Sequence, residues 1–293
     1  MNTTHNGSDS ALNEQLDNTS ATQSAVNSED SLLPNWWGNL DIEQGRNRVW
    51  DFGSLLLCIE REGKEWHVRL KHREISPEQE YADVSMWCGE SELTKDDNFK
   101  RYVFSNADRS LSIVPILPDR NLVVRPIHTV TLMPSQRVTF YVSASLWLRI
   151  ETSDDQQVLQ EMAIRELSDT WFGPSPRMGE LCYASKTKAV VNQATLTRRP
   201  HRAIIPIRIK NQNHEPLTIE RINLPIPHLN LYCDMNGQFW SNPISLTKDK
   251  GKNNIKMHIH DKAPEYNKST LISNARKPAD SGLMLKAYDM LFS

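Results

Sequence analysis

The sequence lacks the local patterns that identify the commonest enzyme and nucleotide-binding families. It contains no G-x-S-x-G nucleophile elbow, no P-loop, no G-x-G-x-x-G fingerprint and no H-E-x-x-H zinc motif. Its 11 glycines do not cluster into a phosphate cradle. Catalytic residues on separate loops would leave no such signature, so an enzyme is not excluded. A binding protein without a cofactor is nevertheless the favoured interpretation.

Long apolar runs are also missing. No run approaches the roughly 20 apolar residues of a membrane helix, and the N-terminus has neither the basic start nor the apolar centre of a secretory signal. The cysteines, Cys58, Cys88, Cys182 and Cys233, are far apart and form no C-x-x-C pair. This spacing predicts buried thiols in a reducing compartment rather than disulfides or a zinc site. We therefore expect a cytoplasmic protein that does not insert into a membrane.

Neither sign of charge is in excess. Lys and Arg number 34 against 36 acidic residues, a net charge of -2, so no global field draws the protein to nucleic acid. The run "TRRPHRAIIPIRIK" is locally basic, and its cations could neutralise several phosphates if they converged: Arg198, Arg199, Arg202, Arg208 and Lys210. The absence of interleaved aromatics argues against base stacking. The pattern favours a charged loop and strand edge over a phosphate site.

The first part of the chain is polar. Residues 1–31 consist mainly of Asn, Ser, Thr, Asp and Gln, with too few apolar side chains to offset the entropy of ordering. This segment is predicted to be a disordered tail. Order is expected to begin at "LLPNWWGNL", where Trp36 and Trp37 provide the first large apolar area.

Period-two alternation of apolar and polar residues dominates the rest of the sequence. It is clearest in Trp66–Leu70, Val138–Val142, Leu146–Ile150 and Ile255–Ile259, and "SLLLCIEREGKEW" with the following strand predicts a hairpin. The stretch 122–150 is predicted to form consecutive antiparallel strands. The fold class that follows is all-β, with two antiparallel β-sandwich units of immunoglobulin-like type at 36–151 and 152–293.

Prolines and one helical pattern refine this prediction for the second unit. Pro206, Pro225 and Pro227 interrupt apolar runs, which places them on strand edges or bulges. The tail "DSGLMLKAYDMLF" has apolar residues at helical spacing and predicts a short C-terminal helix.

Four segments resemble an uncharacterised family, a domain of unknown function found in archaea and gammaproteobacteria and sometimes encoded near mechanosensitive-channel genes. They are "WWGNL", "WDFGSLLLCIEREGKEWHVRL", "VVRPIHTVTLMPSQRVTFYVSASLWLRI" and "LSDTWFGPSPRMGELCYA". The resemblance implies no catalytic residues. It implies a membrane-channel component as a conceivable protein partner.

A Gly/Pro-rich segment, Trp171–Gly179, is the best candidate for a binding site. It combines Trp171, Phe172, Arg177 and Met178, the aromatic-plus-Arg chemistry of recognition hot spots. The alternative is that Trp171 and Phe172 plug the junction of the two sheet units. We expect Trp171 to be such a plug and Arg177 and Met178 to be exposed.

Histidines offer a metal-binding alternative. His258 and His260, two residues apart on a predicted strand, project from one face, and His228 or Asp234 would supply a third ligand. A solvated polar face explains the same pattern more simply. The favoured hypothesis is therefore a non-enzymatic protein that binds a protein partner or ligand through loops at the domain junction, and the alternative is a metal-dependent hydrolase with dispersed catalytic residues.

Overall fold

A computed structural model describes residues 35–76, 78–94, 97–106, 109–175, 177–250, 255–264 and 268–278. The predicted tail at 1–31 and the predicted helix near the C-terminus lie outside these residues. The described residues from Trp36 onward belong to one compact unit.

Strands account for the regular structure of the first half. They are β1 (Gly38–Asn39), β2 (Asn47–Asp51), β3 (Leu55–Glu62), β4 (Glu65–His72), β5 (Ser85–Trp87), β6 (Phe99–Val103), β7 (Leu111–Ile116), β8 (Leu122–Pro126), β9 (Val130–Leu132), β10 (Arg137–Ser145) and β11 (Trp147–Thr152). A short 3-10 helix, Gln79–Tyr81, lies between β4 and β5.

The second half has the same character. Its strands are β12 (Val158–Ala163), β13 (Asp169–Ser175), β14 (Met178–Thr187), β15 (Arg202–Asn211), β16 (Leu217–Ile219), β17 (Ile222–Leu224), β18 (Leu231–Asp234), β19 (Phe239–Ser241), β20 (Ile244–Lys248), β21 (Ile255–Ile259) and β22 (Ser269–Ser273). Two more 3-10 helices are Gln193–Thr195 and Ile226–His228. The all-β prediction is confirmed for the described part of the chain.

Strand β4 shows the alternation of buried apolar and more exposed polar side chains that the sequence predicted. In β4 the buried side chains are Trp66, Val68 and Leu70, each separated by a half-exposed polar residue. Strands β3 and β4 form the predicted hairpin, and Gly63 in its turn has a φ of 60°. This left-handed backbone conformation favours glycine because a side chain there would clash with the chain.

The strands form five sheets. Their orders are β5-β2-β3-β4-β6, β1-β7-β11-β12, β13-β14-β8-β17, β16-β9 and β21-β20-β15-β19-β18-β22, and β10 also pairs with β15. Most pairs are antiparallel, but β14 runs parallel to β8, and β15 runs parallel to β19 and β20. One large cluster of buried apolar side chains, from Trp36 to Met257, contains residues from these sheets.

Strand β15 is an interior strand, which corrects two expectations. It pairs with β10 on one side and with both β19 and β20 on the other, so its arginines do not lie on a sheet edge. Pro206 was expected on an edge or bulge, yet it lies within β15. The missing N–H is tolerated because β19 pairs at residues 203–204 and β20 from residue 207, leaving Pro206 in the gap between them.

Strands from the stretch 122–150 do not pair with one another as predicted. Strand β8 joins β14 and β17, β9 joins β16, β10 joins β15, and β11 lies between β7 and β12. Alternation identifies a strand and its buried face but carries no information about its partner. Because β10–β15 and β8–β14 cross residue 151, the predicted division into 36–151 and 152–293 does not follow a sheet boundary. Two separately folding domains stay a prediction.

The cysteines are free thiols. Cys58 and Cys182 are buried as expected, and burial raises the pKa of the Cys182 thiol to about 12. Cys88 is exposed, against the prediction, because it follows the short edge strand β5.

Candidate functional site

A cleft of about 790 Å³ lies where β10, β14 and the start of β15 meet irregular segments. This volume is in the range of small-molecule sites. Residues 141–143 of β10 and 184–187 of β14 form walls, and residues 165–170, 195–197 and Arg199 also contribute to the lining. The lining therefore comes from segments distant in sequence that the sheets bring together.

Arg202 is the most buried cation of this cleft, with only 7% of its surface exposed. Its Nε donates to the Ser143 hydroxyl at 3.1 Å, and its Nη2 donates to the Ser143 carbonyl oxygen at 3.0 Å. Among the described residues no carboxylate forms an ion pair with it. Burial, together with the charges of Arg199 and Arg165, lowers the pKa of Arg202 to about 9. The guanidinium is therefore still protonated at neutral pH.

Two further arginines face the same cleft. Arg165 and Arg199 both pair with Glu80, the latter at 3.3 Å. Arg199 also donates to the Tyr81 hydroxyl at 2.8 Å, and its guanidinium lies over the Tyr81 ring, 4.6 Å from the centroid. We call Arg165, Arg199 and Arg202 the inner arginines. Glu80 thus pairs with two of the three inner arginines, and Arg202 has no carboxylate partner among the described residues.

A second group of cations lines the cleft on β8 and β14. Lys186 lies directly opposite Arg125 in the parallel pair of these strands, and Lys188 follows two residues later. All three are exposed, and no carboxylate pairs with them within the part of the chain that the structure describes. We call Arg125, Lys186 and Lys188 the rim cations.

The lining as a whole is electropositive. Six basic side chains face three carboxylates, Glu80, Glu166 and Asp169. Asp169 is paired with Arg120 at 3.1 Å, and Glu166 lies 3.6 Å from the His72 ring. The uncompensated charge is therefore positive, and we call this cavity the basic cleft.

His201 is a buried histidine whose pKa is affected by the inner arginines. It is 2% exposed, and its buried Nδ1 has no hydrogen-bond partner among the described residues. Burial, and then the charges of Arg202, Arg199 and Arg165, lower the pKa of His201 to about 4. A protonated imidazole would add a further buried cation, so the ring is neutral at physiological pH.

The segment Trp171–Gly179 is a β-hairpin of β13 and β14 rather than a loop. The prediction that Trp171 is a buried plug is wrong, because its side chain is 47% exposed and its Nε1 donates to the Ser175 carbonyl oxygen at 3.1 Å. Phe172 is the buried aromatic, 6% exposed, with the Arg221 guanidinium 4.9 Å from its ring centroid. Trp171 and Phe172 point to opposite faces because neighbouring strand residues alternate. Arg177 and Met178 are exposed, as expected.

Close approach of the two strands explains the hairpin glycines. A Cβ atom at Gly173 would lie 2.2 Å from the Met178 carbonyl oxygen. A Cβ atom at Gly179 would lie 2.6 Å from Nε1 of Trp171, so the indole packs directly on this glycine. The segment therefore holds Trp171 in place on the surface.

The predicted histidine ligands occupy different settings. His258 and His260 lie on or next to β21 with ring centroids 4.9 Å apart, and Nε2 of His260 is 2.7 Å from the Ser245 hydroxyl. His228 ends the third 3-10 helix, and its Nδ1 is 3.1 Å from the Pro278 carbonyl oxygen. In the described ranges no group of three or more His, Cys, Asp or Glu side chains is placed to hold a metal ion.

Sequence reasoning found only part of the basic cleft. It singled out Arg199 and Arg202, but it also grouped with them Arg208 and Lys210, which lie further along β15 and do not line the cleft. It missed Arg125, Arg165, Lys186 and Lys188. The only available signal was the pair of lysines two residues apart in "SKTK", which a strand places on one face.

Comparison with known proteins identifies the family. A family model described as "Protein of unknown function (DUF432)" matches residues 36–292. The chain belongs to this family. All lining residues of the basic cleft lie within the DUF432 match. No curated protein and no solved structure matches the chain.

Within the described part of this DUF432 chain, no helix has the length and apolar character needed to cross a bilayer.

Proposed function

We propose that this protein binds a small anionic molecule, carrying a phosphate or carboxylate group, in the basic cleft. Arg202 carries the proposal: it is a buried guanidinium that lines a cleft of ligand size and has no carboxylate partner among the described residues. The proposed role is binding rather than catalysis, in the cytoplasm.

The energetics of buried charge support this proposal. Removing an ion from water costs several kcal/mol in real proteins, and an uncompensated one is strongly destabilising. Each hydrogen bond to a charged group returns only about 1.5–3 kcal/mol, and Ser143 supplies two. Arg199 and Arg165 add like charge nearby. A bound anion would offset the remaining cost, and the planar guanidinium suits phosphate or carboxylate oxygens.

The cleft is built from segments that are distant in sequence. Its walls come from β10 before residue 151 and from β14, β15 and the 165–170 segment after it. A ligand in the cleft would therefore contact segments on both sides of residue 151.

Isothermal titration of the full chain with inorganic phosphate at low ionic strength tests the proposal. We expect saturable binding to the wild type and loss of binding in Arg202→Met. The matched control is Arg208→Met, the same substitution on the same strand outside the cleft. Arg199→Gln, at a less buried inner arginine, provides a second variant if Arg202→Met does not fold. No binding to the wild type, or equal binding by both Met variants, would contradict the proposal.

A second candidate function is partner recognition by the β13–β14 hairpin. Trp171 and Leu181 are opposite each other in the hairpin and both are exposed, as is Met178 near its turn. Exposed apolar side chains of this size are typical of recognition surfaces. The partner class that the family resemblance implies is a membrane-channel component. Capture by a purified channel domain that is lost in Trp171→Ala, and retained in Val158→Ala, would support it.

The metal-dependent hydrolase stays a prediction based on His228, His258 and His260. Elemental analysis of the purified protein tests it. A stoichiometric transition metal that is lost in His258→Ala would favour it over the anion-binding proposal.

A further inference from the structure

We propose that the ligand of the basic cleft carries two separate anionic groups, one held by the inner arginines and the other by the rim cations. This inference rests on the proposed function, because it names the class of ligand for the same cleft. The class is a bisphosphorylated small organic molecule.

The charge of the inner arginines matches one phosphate. Glu80 pairs with Arg165 and Arg199, and Arg202 has no carboxylate partner among the described residues, so the three inner arginines and this one carboxylate leave two positive charges. A phosphate monoester carries about -1.5 to -2 at neutral pH. A single phosphate at Arg202 would therefore balance the inner arginines and leave the rim cations uncompensated.

The rim cations form a second site for an anion. Lys186 and Arg125 are fixed opposite each other by the β8–β14 ladder. Like charges that face each other across neighbouring strands are destabilising. Lys188 adds a third positive charge to the same lining. A second phosphate would offset this repulsion and use all three side chains as donors.

The remaining lining suits an organic scaffold between the two charges. Apolar or aromatic side chains contribute much of the wall, among them Ile127, Tyr141, Val142, Leu167, Leu196 and Ile204. A cleft of about 790 Å³ is also larger than an inorganic anion needs. These two observations favour a phosphorylated sugar or nucleotide over free phosphate or diphosphate.

Calorimetric titration of the full chain with matched probes tests the inference. The probes are inorganic phosphate, a hexose monophosphate, a hexose bisphosphate and ADP. We expect a ligand with two phosphates to bind at least about tenfold more tightly than the monophosphate, since the second phosphate adds charge-assisted hydrogen bonds to the rim cations. The ratio of the dissociation constants of ADP and the hexose bisphosphate shows whether the cleft prefers adjacent or separated phosphates.

A variant of the rim cations tests the binding of the second anionic group separately. Lys186→Gln/Lys188→Gln changes two exposed side chains, so the fold should be retained. Its affinity for the bisphosphate should fall about tenfold, while its affinity for inorganic phosphate should change less than about threefold. Lys210→Gln is the control, because this exposed lysine of β15 lies outside the cleft.

The outcomes separate this inference from the proposed function. Equal affinity for one and two phosphates, with no effect of the rim variant, overturns the two-anion inference and leaves anion binding intact. Failure of every probe to bind the wild type overturns both.

Discussion

Ser143 holds the guanidinium of Arg202 through two atoms, its hydroxyl at 3.1 Å and its carbonyl oxygen at 3.0 Å. Both residues lie in the antiparallel β10–β15 pair, where Ser143 is opposite Ile204 and Arg202 is opposite Ser145. The direction of the guanidinium is therefore fixed by the sheet before a ligand arrives. Such preorganisation lowers the entropy cost of binding.

Replacing Ser143 with Ala should destabilise the ligand-free protein by about 1–3 kcal/mol, because the buried Nε of Arg202 loses its acceptor. Urea denaturation measures this difference in the free energy of unfolding, provided that the dependence of that free energy on urea concentration has the same slope in both proteins. Ser185→Ala is the control, since Ser185 lines the cleft without such a bond to Arg202 and should change stability by less than about 0.5 kcal/mol. Equal losses in both variants would show that the Ser143 hydroxyl has no special role.

Stability should depend on pH through His201. The folded-state pKa of about 4 is below the ordinary value of 6.5, so between these values the unfolded chain takes up a proton that the folded protein does not. Stability therefore falls as pH falls below 6.5, by about 2 kcal/mol between pH 7.5 and 5. In His201→Gln this dependence should be largely absent when unfolding is measured at both pH values. An unchanged slope in the variant would refute the assignment.

The two hairpin aromatics should differ sharply in their effect on stability. Phe172→Ala removes a buried ring and should cost about 3–5 kcal/mol. Trp171→Ala removes a half-exposed ring that packs on Gly179 and should cost less than about 1.5 kcal/mol. Chemical denaturation of both variants measures this ordering, and the reverse order would restore the plug interpretation for Trp171.

Separate expression tests the division of the chain at residue 151. Strands β8, β9 and β10 all pair with strands that follow this residue. We expect neither 36–151 nor 152–293 to give a cooperative melting transition alone, because each would expose unpaired strands. A cooperative transition in either fragment would establish the two-domain organisation.

The elements were predictable because alternation is a local property. Strands β3, β4, β10, β11 and β21 lie where the sequence patterns predicted them. The pairing of β8 with β14 and β17 was not predictable. Leu122 lies opposite Tyr183 and Leu224 only because segments that are distant in sequence pack together.

The candidate site was less predictable than the strands, because its residues come from segments that are distant in sequence. Arg199 and Arg202 are close in sequence, so a basic run revealed them. Arg125, Arg165 and Lys186 come from three other segments and carry no shared local pattern. In the hairpin, the sequence could not tell which face Trp171 would occupy, because alternation does not show which of two neighbouring aromatics is buried.

The pairing of Val124 with Ile222 has a consequence for synthesis of the protein. Strand β8 leaves the ribosome well before β14 or β17 exists, and its three buried residues, Leu122, Val123 and Val124, then have no sheet to join. Folding that depends on such distant contacts is slow and exposes strand edges to other chains. The nascent chain should therefore be a substrate for chaperones until residues beyond 222 have emerged.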